Sequence, residues 1–164
     1  MIKQLVLGTA LISTTAMAVE APIVGRVMPK CTIYVDTVGV YGTPTPSKLS
    51  TARADGGVAP VIRFDVVNAD TYKAVITTPT SFSSSPTLTD TLAWTGSTTV
   101  TRMSDETMAS YDTDKVVYED TSEYNLTVAG STWFTSESEV EYGYNKSLPG
   151  GTYKAEVVAE CVAL

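Results

Sequence analysis

The stretch Thr152-Tyr153-Lys154-Ala155-Glu156-Val157-Val158-Ala159-Glu160-Cys161 decides the fold class. Tyr153, Ala155, Val157, Ala159 and Cys161 fall on one face, and Lys154, Glu156, Val158 and Glu160 on the other. This period of two separates apolar from polar side chains almost completely and predicts a strand with one buried face. Leu148-Pro149-Gly150-Gly151 ahead of it is a turn signal. Working outward, residues 60–78 predict a hairpin. Ile62, Phe64 and Val66 alternate with Arg63, Asp65 and Val67; Asn68-Ala69-Asp70 supplies turn chemistry; Tyr72, Ala74 and Ile76 then alternate with Lys73, Val75 and Thr77. Further strands are expected at 31–38 (Cys31, Ile33, Val35), 92–102, 115–119, 124–129 and 138–144. Thr, Val and Tyr dominate these runs, as suits a pleated, half-buried surface. No stretch of ten or more residues has a helical period, and 103–112, with Met103, Met108 and Tyr111, predicts only a short helical turn. The Ser/Thr-rich stretch 77–101, with Pro79 and Pro86, reads as a loop and an edge strand. Short strands broken by frequent turns predict an all-β, immunoglobulin-like antiparallel sandwich.

Composition closes many functional classes. The chain has 164 residues, 43% hydrophobic and 18% charged, enough for one domain with a real core. Eleven Lys and Arg against 18 Asp and Glu give a formal charge of -7, which argues against nucleic-acid binding. There is no histidine, so His triads, His general bases and His metal sites are excluded. The acidic residues Asp105, Glu106, Asp112, Asp114, Glu119, Asp120 and Glu123 lack the spacing of a calcium loop and read as a solvated surface. Tyr142 and Tyr144, around Gly143, read as strand packing. The expectation is a protein without enzymatic activity, cofactor or metal.

Residues 1–18 read as a secretory signal peptide. Met1-Ile2-Lys3 is a basic start, Leu5 to Ile12 is an apolar run too short to span a bilayer, and Ala16-Met17-Ala18 has the form of a signal-peptidase site. Cleavage before Val19 leaves 164 − 18 = 146 residues and, with Lys3 lost, a formal charge of -7 − 1 = -8. The mature chain has no second long apolar segment, so no membrane span is expected there. In an oxidising compartment the even pair Cys31 and Cys161 favours one disulfide. Closing so long a loop is worth about 4–5 kcal/mol in the chain-entropy account.

The mature N-terminus reads Val19-Glu20-Ala21-Pro22-Ile23-Val24-Gly25-Arg26-Val27. Val19, Ala21, Ile23, Gly25 and Val27 form one apolar or small face, and Met28-Pro29-Lys30 follows as a linker into Cys31. A strand with one apolar face needs a groove, in its own sheet or in that of a neighbouring copy.

This pattern, with Gly25-Arg26-Val27, a short gap and Cys31-Thr32-Ile33, resembles the N-terminus of chaperone–usher pilins. The ending Pro149-Gly150-Gly151-Thr152-Tyr153 before a last alternating strand is similar to theirs, and the 60–78 pair is placed as in alpha-class, CFA/I-like fimbrial subunits. The resemblance implies three parts: signal 1–18, donor-strand extension and linker 19–30, and an incomplete sandwich 31–164. It implies a structural pilus subunit at the cell surface, supporting adhesion. Its side chains Val19, Ala21, Ile23, Gly25 and Val27 would enter a neighbouring copy's groove. Further implied partners are a periplasmic chaperone and an outer-membrane usher. One departure is plain: such pilins pair the first cysteine with one about forty residues on, and here no cysteine lies between Cys31 and Cys161. In the family topology the donor strand lies between the first and last strands, parallel to the first. Cys31 and Cys161 then meet at one end of the groove, and their bond must lie beyond the inserted strand, because two strand spacings of roughly 9–10 Å exceed the disulfide limit of about 7 Å. The alternative is a secreted or periplasmic Ig-like binding module of adhesin type that does not polymerise.

Overall fold

The computed structural model describes residues 23–26, 28–144 and 146–164. Its fold is the expected all-β antiparallel sandwich, with 49% of residues in strands. In chain order the strands are β1 (Cys31–Thr37), β2 (Gly42–Thr45), β3 (Lys48–Ser50), β4 (Val61–Val66), β5 (Tyr72–Thr77), β6 (Leu92–Met103), β7 (Val116–Tyr118), β8 (Thr121–Asn125), β9 (Gly130–Tyr142) and β10 (Val158–Ala163). One sheet runs β1-β4-β9-β3-β2, with β6 on the other edge of β9; the second runs β10-β5-β8-β7.

β9 organises the first sheet. One edge pairs first with β4, from Val66↔Gly130 to Val61↔Thr135, and then with β3 at Ser50↔Glu139 to Lys48↔Glu141. Its other edge carries β6 from Met103↔Thr132 to Leu92↔Tyr142. Its inward face includes Ser136 and Ser138 among Phe134, Val140 and Tyr142. These buried polar groups are satisfied: the Ser138 and Tyr41 hydroxyls share a hydrogen bond at 3.2 Å, the Ser138 backbone N–H donates to Thr51 Oγ1 at 2.8 Å, and Thr98 Oγ1 donates to Ser136 Oγ at 3.4 Å.

The strands expected at 60–78 form, but not as a hairpin. β4 lies between β1 and β9, and β5 between β10 and β8, in the opposite sheet. Alternation reports which face a strand buries, not which strand lies beside it. Ile62, Phe64 and Val66 from one sheet and Ala74 and Ile76 from the other join one core cluster, so the connection crosses between layers. Asp70, at a positive φ of 55°, donates its N–H to Leu126 O at 3.0 Å and fixes that crossing. The C-terminal strand is also shorter than its alternation suggests. The predicted faces hold from Tyr153 to Cys161, but only Val158 onward pairs with β5; before it, Lys154 makes a single bridge to Ser84.

Tyr124, Phe64, Phe134 and Ile76 fill the core, with the Phe134 ring centroid 4.6 Å from Tyr124 and 5.4 Å from Phe64. Burial pushes the Tyr124 hydroxyl's pKa upward, and this hydroxyl donates to Thr98 O at 2.7 Å. A 3-10 turn at Glu106–Ser110 leads into α1 (Tyr111–Asp114), which agrees with the helical turn expected near 103–112. Asp105 caps the turn by accepting the Thr107 N–H at 2.9 Å, and Met108 and Tyr111 close one end of the core. Phe134→Ala is expected to cost about 3–5 kcal/mol, because the ring bridges both layers and the cavity cannot collapse. Urea unfolding followed by fluorescence measures it.

Candidate functional site

β1 hydrogen-bonds only β4, and β10 only β5, so each strand has a second edge without a ladder partner among the described residues. Next to them lies a groove of about 740 Å³, which takes in Val35 of β1 and the segment just before β10. One wall is Val35 and the loop Val38–Tyr41; the other is the extended segment Tyr153–Val157; Leu49, Thr51, Ile62 and Ser138 form the floor. Ala155, Glu156 and Val157 have no ladder partner among the described residues, although their backbone is extended and their side chains alternate. That accounts for the short β10: the alternation is present and the neighbour is not.

The walls run in opposite directions. Cys31 and Cys161 join four residues before Val35 and four residues after Val157, and Tyr41 and Tyr153 approach a shared aromatic cluster at the other end. In that cluster the Phe82 centroid lies 4.8 Å from Trp94, 5.0 Å from Tyr153 and 6.5 Å from Tyr41. Tyr153 donates its hydroxyl to Pro149 O at 2.6 Å, which holds the ring against the turn before the wall. Tyr41 and Ser138 hydroxyls share a 3.2 Å hydrogen bond, and burial holds the Tyr41 pKa above its ordinary value. The groove is thus apolar along Val35, Ile62, Leu49 and Val157, with a satisfied polar patch on its floor.

The expected Cys31–Cys161 disulfide is formed, with a Cα separation of 6.3 Å across 130 residues of sequence. It ties β1 to β10 and closes the space between them four residues from the groove-lining Val35 and Val157. The bond is compatible with a secreted or periplasmic protein. Among the described residues, no helix is long and apolar enough to cross a membrane.

The sequence-derived site residues fall in two groups. Ile23 and Gly25 belong to a segment, Ile23–Arg26, that is exposed and in no strand of its own sandwich. Val19, Ala21 and Val27 lie outside the described residues. Ile23 and Gly25 therefore do not lie in their own domain's groove. The acidic side chains are dispersed: Asp112 accepts the Val100 N–H at 2.9 Å, and Glu123 pairs with Lys73 at 2.8 Å. No group of three or more metal-ligating side chains occurs among the described residues. Tyr142 is buried, while Tyr144 is exposed.

Sequence reasoning missed the loop 38–43 as a groove wall. Its signal was the glycine pair in Val38-Gly39-Val40-Tyr41-Gly42-Thr43. A Cβ on Gly42 would meet Asp55 O at 2.2 Å, so the chain there packs backbone against backbone. Comparison with family models, curated proteins and solved structures finds no match. What the geometry offers chemically is two strand edges without ladder partners among the described residues beside one apolar groove, features that suit an added β-strand.

Proposed function

We propose that this chain is the structural subunit of an extracellular pilus and polymerises head-to-tail by β-strand donation, supporting surface adhesion. The groove of one copy receives Val19–Val27 of another, with Val19, Ala21, Ile23, Gly25 and Val27 facing its floor. One observation carries the reading: an apolar groove adjoins two strands whose second edges lack partners among the described residues, while the alternating segment at Ile23–Arg26 stands exposed outside its own sandwich. Nine donor residues extend over about 30 Å at ~3.3 Å each, and the wall Val35–Thr43 also has nine residues. The added strand gives both edges a hydrogen-bonding neighbour and covers exposed Val35, Val38 and Val40. A head-to-tail contact between two different surfaces generates an open filament where its rotation does not close a ring. The resemblance to chaperone–usher pilins adds a periplasmic chaperone to hold the open groove and an outer-membrane usher to exchange it for the next subunit.

The test is assembly of the purified, oxidised mature chain, read by electron microscopy and light scattering. Fibres are expected from 19–164, and none from a chain lacking 19–30, which is expected to be unstable or to associate irregularly. A deletion chain that is monomeric, highly stable and resistant to protease would overturn the reading in favour of a non-polymerising binding module.

A further inference from the structure

We propose that the Cys31–Cys161 bond makes the groove one-ended: it excludes the chain's own N-terminal segment and admits a second copy's segment in one direction only. This inference rests on the strand-donation reading and adds a regulatory element to it. A strand lying between two others needs about 9.6 Å between its neighbours, two spacings of roughly 4.8 Å. The Cα atoms of Cys31 and Cys161 are 6.3 Å apart. No backbone passes between them.

The position of Lys30 sharpens the point. Its carbonyl accepts the Val67 N–H at 3.0 Å, so residue 30 prolongs β1 in line, beside the end of β4. Before it, Met28, Pro29 and Ile23–Arg26 are exposed. Only Met28, Pro29 and Lys30 separate the donor segment from Cys31. To enter its own groove the segment would reverse direction and run antiparallel to β1 along the edge beside Cys31. Cys161 occupies that edge. Three residues reach about 10 Å fully extended, and a reversal consumes them all.

A second copy's segment meets no such obstacle. It enters at the open end, near Tyr41 and Tyr153, with its free end foremost, and advances toward the disulfide. It then lies parallel to β1, with Val27 at the open end and its linker outside. In the opposite orientation the linker would have to leave past the bond. The bond thus sets the direction of donation as well as its source.

The exclusion matters because a tethered segment competes strongly. An intramolecular strand on a short linker has an effective concentration in the millimolar range, far above micromolar free subunits. Without the bond, the chain's own segment fills the groove and the subunit is withdrawn from assembly.

The experiment uses the full mature chain and measures amide exchange at residues 19–27 in dilute monomer, together with polymer yield. In the oxidised chain these amides are expected to exchange without protection, and polymer to form on concentration. In Cys31→Ser/Cys161→Ser, and in the reduced natural chain, at least tenfold slower exchange in the monomer and at least tenfold less polymer are expected. A second variant keeps the bond and the fold: twenty Gly/Ser residues inserted between Met28 and Pro29. Such a linker has a root-mean-square span of about 25 Å and an extended reach of about 66 Å, so it can carry the segment the roughly 35 Å round to the open end. It is expected to give a protected, non-polymerising monomer with the disulfide intact, whereas a three-residue insertion polymerises normally. If the long insertion polymerises normally and both monomers leave 19–27 unprotected, the gate is overturned. If oxidised polymers themselves leave 19–27 unprotected, strand donation fails instead.

Discussion

Ile23→Asp is expected to leave the subunit folded and to abolish polymerisation. Ile23 is 100% exposed on its own domain, so no packing is lost there. Any loss of assembly must then arise in another copy. In a groove lined by Val35, Leu49, Ile62 and Val157, full burial of an isoleucine is worth about 1.5–3 kcal/mol. An aspartate forfeits that gain and adds the desolvation of a carboxylate without a partner. A combined loss of about 4 kcal/mol is roughly a thousandfold in affinity at each contact, enough to reduce a long fibre to monomers. Gly25→Leu tests the same face by shape. A Cβ at Gly25 meets nothing within 4 Å in its own domain, yet a leucine in the groove would force the donor backbone off its neighbours. Glu20→Gln, on the opposite face of the donor segment, serves as the control and is expected to polymerise normally. Light scattering of each purified variant, with thermal unfolding alongside, separates assembly from folding. Normal fibres from both Ile23→Asp and Gly25→Leu would show that this segment is not the polymerising strand.

The sequence was legible wherever a strand buries one face with apolar side chains. β1, β4, β5 and β6 stand close to their expected positions because Ile33, Phe64, Ile76 and Trp94 mark alternating faces. It was illegible in β9, expected only at 138–144 and observed from Gly130. There Thr132, Ser136 and Ser138 take inward positions and are satisfied by hydrogen bonds to Met108, Thr98 and Thr51, which hydrophobic periodicity does not register. β8, expected at 124–129, begins three residues earlier because Ser122 is buried beside Tyr124. Pairing was the second blind spot. A run such as 60–78 carries the pattern of each strand but not the layer it joins. Of the candidate site, the donor face and the two cysteines were legible as pattern. The groove was not, because its walls come from residues about 115 positions apart, Val40 and Ala155 among them, which only folding brings opposite one another.

Ala155→Trp is expected to produce a chain that donates but does not accept. Ala155 lies on the groove-facing side of the extended wall, between Tyr153 and Val157. An indole there projects into the space that the donor backbone occupies. The cost to the subunit itself is small, since the groove is open and the ring fills empty volume rather than displacing core. Ile23→Asp has the complementary defect: its groove is intact and its strand is not. Each variant alone is expected to remain short of fibres. Mixed in equal amounts, they are expected to form one-to-one heterodimers and stop. The Ile23→Asp chain takes the strand of the Ala155→Trp chain, and neither free end supports another addition. A two-fold contact in which Ile23 meets Ile23 and Ala155 meets Ala155 gives a different result, since every mixed pair then has a defect at both sites and the mixture stays monomeric. Size-exclusion chromatography with light scattering, one variant carrying a mass tag, distinguishes the outcomes. Heterodimers establish that donor and acceptor are separate surfaces on one chain. Fibres from Ala155→Trp alone would show that the groove between β1 and the C-terminal wall is not where the strand enters.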